Sequence, residues 1–353
     1  GYGRGARQRI EEDTAEPLTG VRLGRTTGAP ITLLIRNHDS RLDDLSRTPP
    51  VYRPRPGHAD LAGSVKWLTT DCRETLERAS ARETASRVAA GALARCLLRE
   101  FGIEAFGFVR SILDSASPVE VTESNWPSIR TQRDASDTYC PDDAATQRQC
   151  QIIRQAKIDQ TTVGGLIEAH IFGCPPGLGS CVDWRDKLDA RIAYAVMGIQ
   201  AIKSVEIGLG KEVAARPGHD VHDAIGFDES QRERSTLGFT RSSNNAGGTE
   251  GGMTNGQPVV VRAAMKPIAT LLRGMPSVDL NSKQPEQSQY ERSDVCAVSA
   301  ASVVLENVVA FEVARVLRDK FSGDSLTETK LQFDAYMEHA RILPLEPPHT
   351  RLA

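Results

Sequence analysis

The stretch from Val295 to Phe321 reads as one long helix rich in alanine and valine, and it sets the kind of core this chain can build. Aromatic residues are only 5% of the sequence, so aliphatic and alanine packing must dominate the interior. Around that helix the pattern alternates between strands and helices. Ile31 to Ile35 is apolar and β-prone. Ile103 to Ile112 reads as a strand, as does Val163 to Phe172, ended by Cys174-Pro175-Pro176-Gly177. Pro258 to Met265 alternates apolar and small residues as a further strand. Helical spacing marks Ala144 to Lys157. It also marks Asp183 to Lys203, with Leu188, Ile192, Val196, Ile199 and Ile202 on one face. Ser325 and Glu328 form a capping box that opens a last helix, running to about Ile342. The polar stretch from Glu212 to Asn245 reads as a long mobile loop, of a kind that often serves as a lid or binding loop.

A chain of 353 residues can bury a large core, as one big domain or two lobes. Its formal net charge of -3, from 43 basic and 46 acidic residues, leaves no footprint for nucleic acid or an anionic membrane. No apolar run approaches the roughly 18 residues that span a bilayer. The seven scattered cysteines include no Cys-x-x-Cys pair. That pattern points to reduced thiols in a cytoplasmic protein rather than a disulfide framework or a zinc site.

The densest chemistry lies between Arg55 and Gly91. In Arg55-Pro56-Gly57-His58-Ala59-Asp60, Pro56 fixes its own φ and Gly57 can take a positive one, so His58 leaves a stiff corner. A side chain that titrates near neutral pH on a preorganised turn suits acid-base work, and Asp60 is placed to orient the ring or cap the backbone. Downstream, Ser80 and Glu83 have the spacing of a capping box. Ala85, Val88, Ala89, Ala92, Leu93, Cys96 and Leu97 then repeat at helical spacing. The free amides of that helix start favour an anion, and Arg78 and Arg82 flank it with fork-shaped donors. A histidine turn or a capping box alone is an ordinary surface feature; the two side by side are much less common.

These segments resemble chorismate synthases, and the resemblance runs nearly end to end. Gly1-Tyr2-Gly3-Arg4-Gly5-Ala6-Arg7 is similar to that family's glycine-arginine loop, and Thr162-Val163-Gly164-Gly165 to its central strand. Ala195 to Lys203 followed by Val205-Glu206-Ile207-Gly208 resembles its long helix and next strand. Ala246-Gly247-Gly248, Gly251 to Gly256 and Lys266-Pro267 resemble its glycine-rich loop and following strand, and Arg292-Ser293-Asp294-Val295-Cys296 its C-terminal signature. In the polar stretch the family's pattern centres on a histidine matched by His222-Asp223, and the nearby Arg216-Pro217-Gly218-His219-Asp220 is read as a coincidental echo of the first turn.

The resemblance implies an α+β fold, a β-α-β sandwich with an internal repeat in which antiparallel sheets pack with long helices. Residues 1–343 would form that domain and 344–353 a C-terminal tail. It implies a lyase of the shikimate pathway that converts 5-enolpyruvylshikimate 3-phosphate to chorismate and phosphate by 1,4-elimination. The reaction needs reduced FMN without net redox change, and the family assembles as homotetramers. By motif match, His58 and Asp294 would carry the proton chemistry. Arg4, Arg7, Arg55, Ser80, Arg82 and Arg292 would face the substrate. FMN would meet Arg78, Ala79, Ser80, Gln200, Ala201, Gly251, Lys266, Pro267, Ile268, Ala269, Thr270 and Arg292. Some members reduce their own FMN with NADPH, for which Arg4 is the matching contact. The glycine loop alone is weak evidence: it is neither the dinucleotide pattern nor a Walker loop.

The family's Gly-Glu-Ser-His-Gly motif, with a second histidine, is absent from the sequence, and His38, His170, His219, His222, His339 and His349 stand in other contexts. The expectation is therefore a fragment of a longer protein or a truncated, catalytically impaired homologue that keeps FMN binding and oligomerisation. A flavin oxidoreductase is the remaining alternative, against which stands the retained set of substrate arginines.

Overall fold

The computed structural model describes residues 2–5, 11, 13–38, 44–291 and 294–342. Short strands come first: β1 (Ala15–Thr19), β2 (Val21–Arg22), β3 (Arg25–Thr26) and β4 (Thr32–Ile35), with β1 paired to β4 and β2 to β3. Helices α1 (Asp60–Trp67), α2 (Arg73–Arg78) and α3 (Thr84–Arg99) follow. Then come β5 (Glu104–Ile112), β6 (Ser115–Ala116), α4 (Trp126–Ala135), α5 (Asp143–Ile158), β7 (Gly165–Phe172), α6 (Leu188–Met197) and β8 (Ile202–Ile207). Next are the short helix α7 (Gly218–Val221), the hairpin β9 (Ile225–Phe227) and β10 (Phe239–Arg241), and the hairpin β11 (Thr249–Glu250) and β12 (Met253–Thr254). The chain continues through β13 (Val259–Met265) and the hairpin β14 (Pro276–Val278) and β15 (Pro285–Gln287), and finishes with α8 (Val298–Lys320) and α9 (Leu326–Arg341).

Five strands form one antiparallel sheet in the order β6-β5-β7-β13-β8. Ala105, Val109, Ile167, Ala169, Ile171, Val259, Val261 and Ala263 alternate onto one face and are buried beneath α8. That helix buries sixteen of its 23 residues between the sheet, α3 and α6, the fate of a helix apolar nearly all round. Phe106, Phe108 and Phe172 point the other way and pack with Ile129 and Trp126 of α4. This helix-sheet-helix layering is the α+β architecture that the resemblance implies.

Small residues set how closely the layers approach. A Cβ on Gly91 of α3 would lie 2.3 Å from the carbonyl oxygen of Asn307 in α8, and one on Gly107 would lie 2.8 Å from that of Ser302. The edge of β5 left unpaired by a strand is closed by side chains. Glu306 accepts the Gly107 N–H at 3.0 Å, while Arg133 and Arg130 donate to the carbonyls of Gly107 and Ala105 at 2.6 and 2.5 Å. An edge so occupied cannot template a foreign strand.

Several sequence expectations need correction. The helix expected over Asp183 to Lys203 spans only Leu188–Met197. It stops at Gly198, Ala201 turns into the left-handed region at φ 68°, and Ile202 opens β8. Ile199 and Ile202 are still buried, so their helical spacing was real but served a turn and a strand. The α3 face is also rotated. Its buried positions are Gly91, Ala94 and Leu98, while Ala92, Leu93 and Cys96 are exposed, because the helix approaches α8 through Gly91. Ser80 caps a short 3-10 turn, Ala81–Glu83, by accepting the Arg82 N–H at 3.3 Å. The Ser80 N–H bonds the Glu77 carbonyl instead of Glu83, so the reciprocal box does not form there. At Ser325 and Glu328 it does. Glu212 to Asn245 is not a bare loop but carries α7 and the β9–β10 hairpin. The tail 344–353 lies outside the described residues.

Candidate active site

One end of the five-stranded sheet collects most of the candidate residues. Register places Ile112 of β5 beside Gly165 of β7, Gly165 beside Met265 of β13, and Met265 beside Ile202 of β8. Gln200 and Ala201 enter β8 at this end, and Lys266 to Thr270 leave β13 there. The two segments touch, since the Lys266 N–H bonds the Ala201 carbonyl at 2.9 Å. Gly164 is fixed here by close approach: a Cβ on it would meet the Met265 carbonyl oxygen at 2.3 Å.

The histidine turn packs under Lys266 to Thr270. Gly57 takes φ 79°, as its sequence context predicts, and Lys266 Nζ donates to its carbonyl at 2.6 Å. Asp60 is fully buried at the start of α1. It accepts Arg55 Nε at 2.8 Å, Arg55 Nη2 at 3.0 Å and the Arg55 N–H at 3.0 Å. Its Oδ1 also lies 2.5 Å from His58 Nδ1. A carboxylate only accepts, so His58 Nδ1 carries the proton toward Asp60, and Nε2 is the nitrogen left to face outward. The 3.0 Å approach of Arg55 Nη2 to Nδ1 is then a contact between two donors and not a hydrogen bond. Burial alone would raise the Asp60 carboxyl, but hydrogen bonds from His58 and Arg55 outweigh it and hold the group well below the usual carboxylate range. Arg55 Nη1 goes to Thr270 Oγ1 at 2.7 Å, so this buried guanidinium ties the turn to the β13 exit rather than standing open.

The other candidates are distributed around this nucleus. Arg4 pairs with Asp294 at 2.8 Å, and the Gly5 N–H donates to Asp294 at 2.5 Å, which joins the glycine-arginine loop to the C-terminal signature. That signature reaches the sheet end because the Val163 N–H bonds the Val295 carbonyl, while Thr162 Oγ1 bonds the Ile268 carbonyl. Arg82 is spent on Asp13 at 2.5 Å, Glu11 at 3.3 Å and the Arg36 carbonyl at 3.0 Å. Arg78 is exposed at the end of α2, and its side chain has no hydrogen bond or ion pair with the described residues. Ala79 and Ser80 follow it, and the turn behind them reaches Gln200 through Glu83 at 2.8 Å. Arg7 and Arg292 lie outside the described residues.

Gly251 is not part of this grouping within one chain. It lies between β11 and β12, near the start of β13, where Gly247 bonds the Val260 N–H; this is the opposite end of the sheet. Asp223 is also at that end. It is buried and accepts Ser243 Oγ and the N–H groups of Asn245 and Ala246, while His222 is exposed. An open cavity of about 1050 Å³ there is lined by Glu123, Glu233, Asp334 and Glu338 among others. These four carboxylates outnumber Arg234 and Arg341 on the same wall, which leaves a net negative lining, so size alone does not make this cavity the site.

Sequence reasoning missed Lys203. It sits at a bulge, where β8 slips one residue against β13 between Ile202 and Ser204. It is exposed and without a partner among the described residues. The Lys266 ammonium is pushed below its usual range by burial and by the neighbouring charge of Lys203. The signal was present in Ala201-Ile202-Lys203, but a reading of that segment as continuous helix hid it.

The assembled site can be compared with known proteins. The family model for chorismate synthase matches residues 1–317. A chorismate synthase of Desulforamulus reducens is 50% identical over 351 residues, covering 97% of this chain and 89% of that protein. One of Geobacter sulfurreducens is 49% identical over 354 residues with the same coverage. A crystal structure of chorismate synthase superposes with a TM-score of 0.73 at 40% identity, covering 95% of this chain and 87% of the other. Fold, motif order and sequence agree, and the chain belongs to the chorismate synthase family, lyases of the shikimate pathway.

Proposed function

We propose that this chain uses reduced FMN to eliminate phosphate from 5-enolpyruvylshikimate 3-phosphate, giving chorismate. The observation that carries the reading is the His58–Asp60 pair, buried on one side and open at Nε2, beneath a segment where Lys266 and Lys203 have no carboxylate partner among the described residues. The substrate brings one phosphate and two carboxylates. A site for it needs fixed cations where water is scarce, and Lys266, Lys203, Arg78 and Arg4 supply them around the sheet end.

FMN suits the residues present. Gln200 Oε1 is buried with no hydrogen-bond partner among the described residues, a vacant acceptor for a ring N–H. Arg78 is a free cation for the phosphate, beside the backbone of Ala79 and Ser80, and Lys266 to Thr270 would flank the ring. Bound and reduced, FMN supplies electron density to the breaking carbon–oxygen bond. Everything else falls to the protein. Asp60 sets the His58 tautomer, and His58 holds or releases a proton at Nε2. Asp294, fixed by Arg4 and the Gly5 N–H, presents a carboxylate that suits withdrawal of the ring proton. Arg55 keeps the turn closed by bridging Asp60 and Thr270. NADPH as reductant, a homotetramer and a cytoplasmic setting are part of the same proposal, supported by family resemblance alone. No helix among the described residues is long and apolar enough to cross a membrane.

His58→Ala tests the assignment. Turnover should fall by about 10²–10⁴, the usual worth of a positioned acid or base, while FMN affinity stays within a few-fold. Unchanged turnover would reduce His58 to a turn residue.

A further inference from the structure

Glu83 stands at the third position of a capping-box sequence, yet it makes neither bond of one. Its Oε1 accepts Arg87 Nε at 2.5 Å and its Oε2 accepts Gln200 Nε2 at 2.8 Å. A carboxylate has no proton to give, so the Gln200 amide must turn its NH₂ toward Glu83, and the carbonyl Oε1 then faces the other way. That oxygen is the buried one without a partner among the described residues.

The backbone around Gln200 is held by Lys266 and by Arg87, the second partner of Glu83. Arg87 donates to the carbonyls of Ala195 at 3.3 Å and Gly198 at 3.0 Å, and Lys266 bonds the Ala201 carbonyl at 2.9 Å. Ala201 sits at φ 68°, a conformation that a non-glycine residue keeps only when its surroundings impose it. With the peptide fixed in this way, the direction of the Gln200 side chain is what Glu83 decides.

We propose that Glu83 is a positioning residue for the cofactor subsite, orienting the Gln200 amide so that its carbonyl oxygen accepts an N–H of the flavin ring. The proposal rests on the FMN reading above. It also accounts for the missing capping box: the carboxylate that would close the Ser80 turn is drawn across to the junction of α6 and β8.

The test is FMN binding to the full chain, followed by quenching of flavin fluorescence, with thermal melting of each variant alongside. Glu83→Ala and Gln200→Ala should each weaken binding by roughly 5–10-fold, the worth of about one hydrogen bond. The double variant should bind no more weakly than Gln200→Ala alone, because the bond to the flavin ring is made by that amide and Lys266 still holds the Ala201 carbonyl. Glu83→Gln keeps the volume and an acceptor for Arg87, but its amide can meet Gln200 either way round. It should show an intermediate loss with an unchanged melt, and it serves where the alanine variant melts early. Additive losses in the double variant, or full affinity in Glu83→Ala, would overturn the proposal while leaving FMN binding in place. A wild-type chain that does not bind FMN would overturn the cofactor reading and this proposal with it.

Discussion

Replacing Asp60 by asparagine removes one charge and almost no volume. The carboxylate is fully buried and uses both oxygens, receiving Arg55 through Nε and Nη2 and His58 through Nδ1. Asparagine has one acceptor oxygen and an NH₂ group, so it cannot satisfy both partners. If the NH₂ meets His58, Nδ1 must become the acceptor and the ring proton moves to Nε2. The nitrogen open to the reaction then changes from acceptor to donor in the neutral ring. We expect kcat to fall by about 10²–10⁴, with FMN affinity little changed. The substitution also leaves Arg55, only 7% exposed, without its counter-charge. Breaking such a buried pair costs about 3–5 kcal/mol, against a total stability of about 5–15 kcal/mol for a typical protein. Melting must therefore be followed with activity. The companion variant Arg55→Met with Asp60→Asn removes both charges together and should recover much of the stability without recovering turnover. The assay is phosphate release under anaerobic conditions with reduced FMN. A folded Asp60→Asn protein turning over within about 3-fold of wild type would refute the tautomer argument.

Three further outcomes follow from the packing and the charges. Gly91→Ala would push a methyl group to 2.3 Å from the Asn307 carbonyl oxygen. It should lower stability by about 1–3 kcal/mol through overpacking; an unchanged denaturation midpoint would mean that α3 and α8 are not in close contact. Glu168 is buried against Arg110, Arg262 and His170 at 2.7, 2.7 and 2.6 Å. Burial would raise its carboxyl, but hydrogen bonds from His170 and Arg110 hold it below its usual range. A depressed folded-state value gives stability that is fully present above the unfolded value near pH 4 and is lost as pH falls below it. Melting should therefore decline less steeply below about pH 4 in Glu168→Gln than in wild type, and parallel curves would contradict the assignment. Lys203→Gln should raise KM for the anionic substrate by roughly 5-fold and weaken its salt dependence, as loss of about 1 kcal/mol of partly screened attraction implies. An unchanged KM would make Lys203 a surface charge.

Much of the fold was legible because its main elements carry long, regular patterns. Val298 to Lys320, Gly165 to Phe172 and Val259 to Met265 all fall within the stretches read from spacing. The misreadings have local causes. At α6, apolar spacing continues through Ile199 and Ile202 after the helix has ended, so periodicity could not mark the stop. At α3, Gly91 contributes no hydrophobic signal yet is the point of closest approach to α8. The helices α1, α2 and α4 are short, and α4 and α2 are largely polar, so no apolar stripe announced them.

The histidine turn was legible because Pro56 fixes its own φ and Gly57 is free to take the positive φ the turn needs. The commitments of the arginines were not. Arg55 reaches Thr270, 215 positions away, and Arg82 reaches Glu11 and Asp13. No spacing rule connects such residues; the tertiary fold decides which cations are paired and which remain open. Arg78 and Lys203 are left open, and only Arg78 was singled out as a cation from the sequence.

The most direct measurement follows products and flavin together. Protein expressed from its complete reading frame is mixed anaerobically with reduced FMN and 5-enolpyruvylshikimate 3-phosphate. The account predicts chorismate and phosphate in equal amounts, the flavin still reduced at the end, and no product with oxidised FMN. Failure to release phosphate, or flavin oxidised in step with turnover, would contradict it.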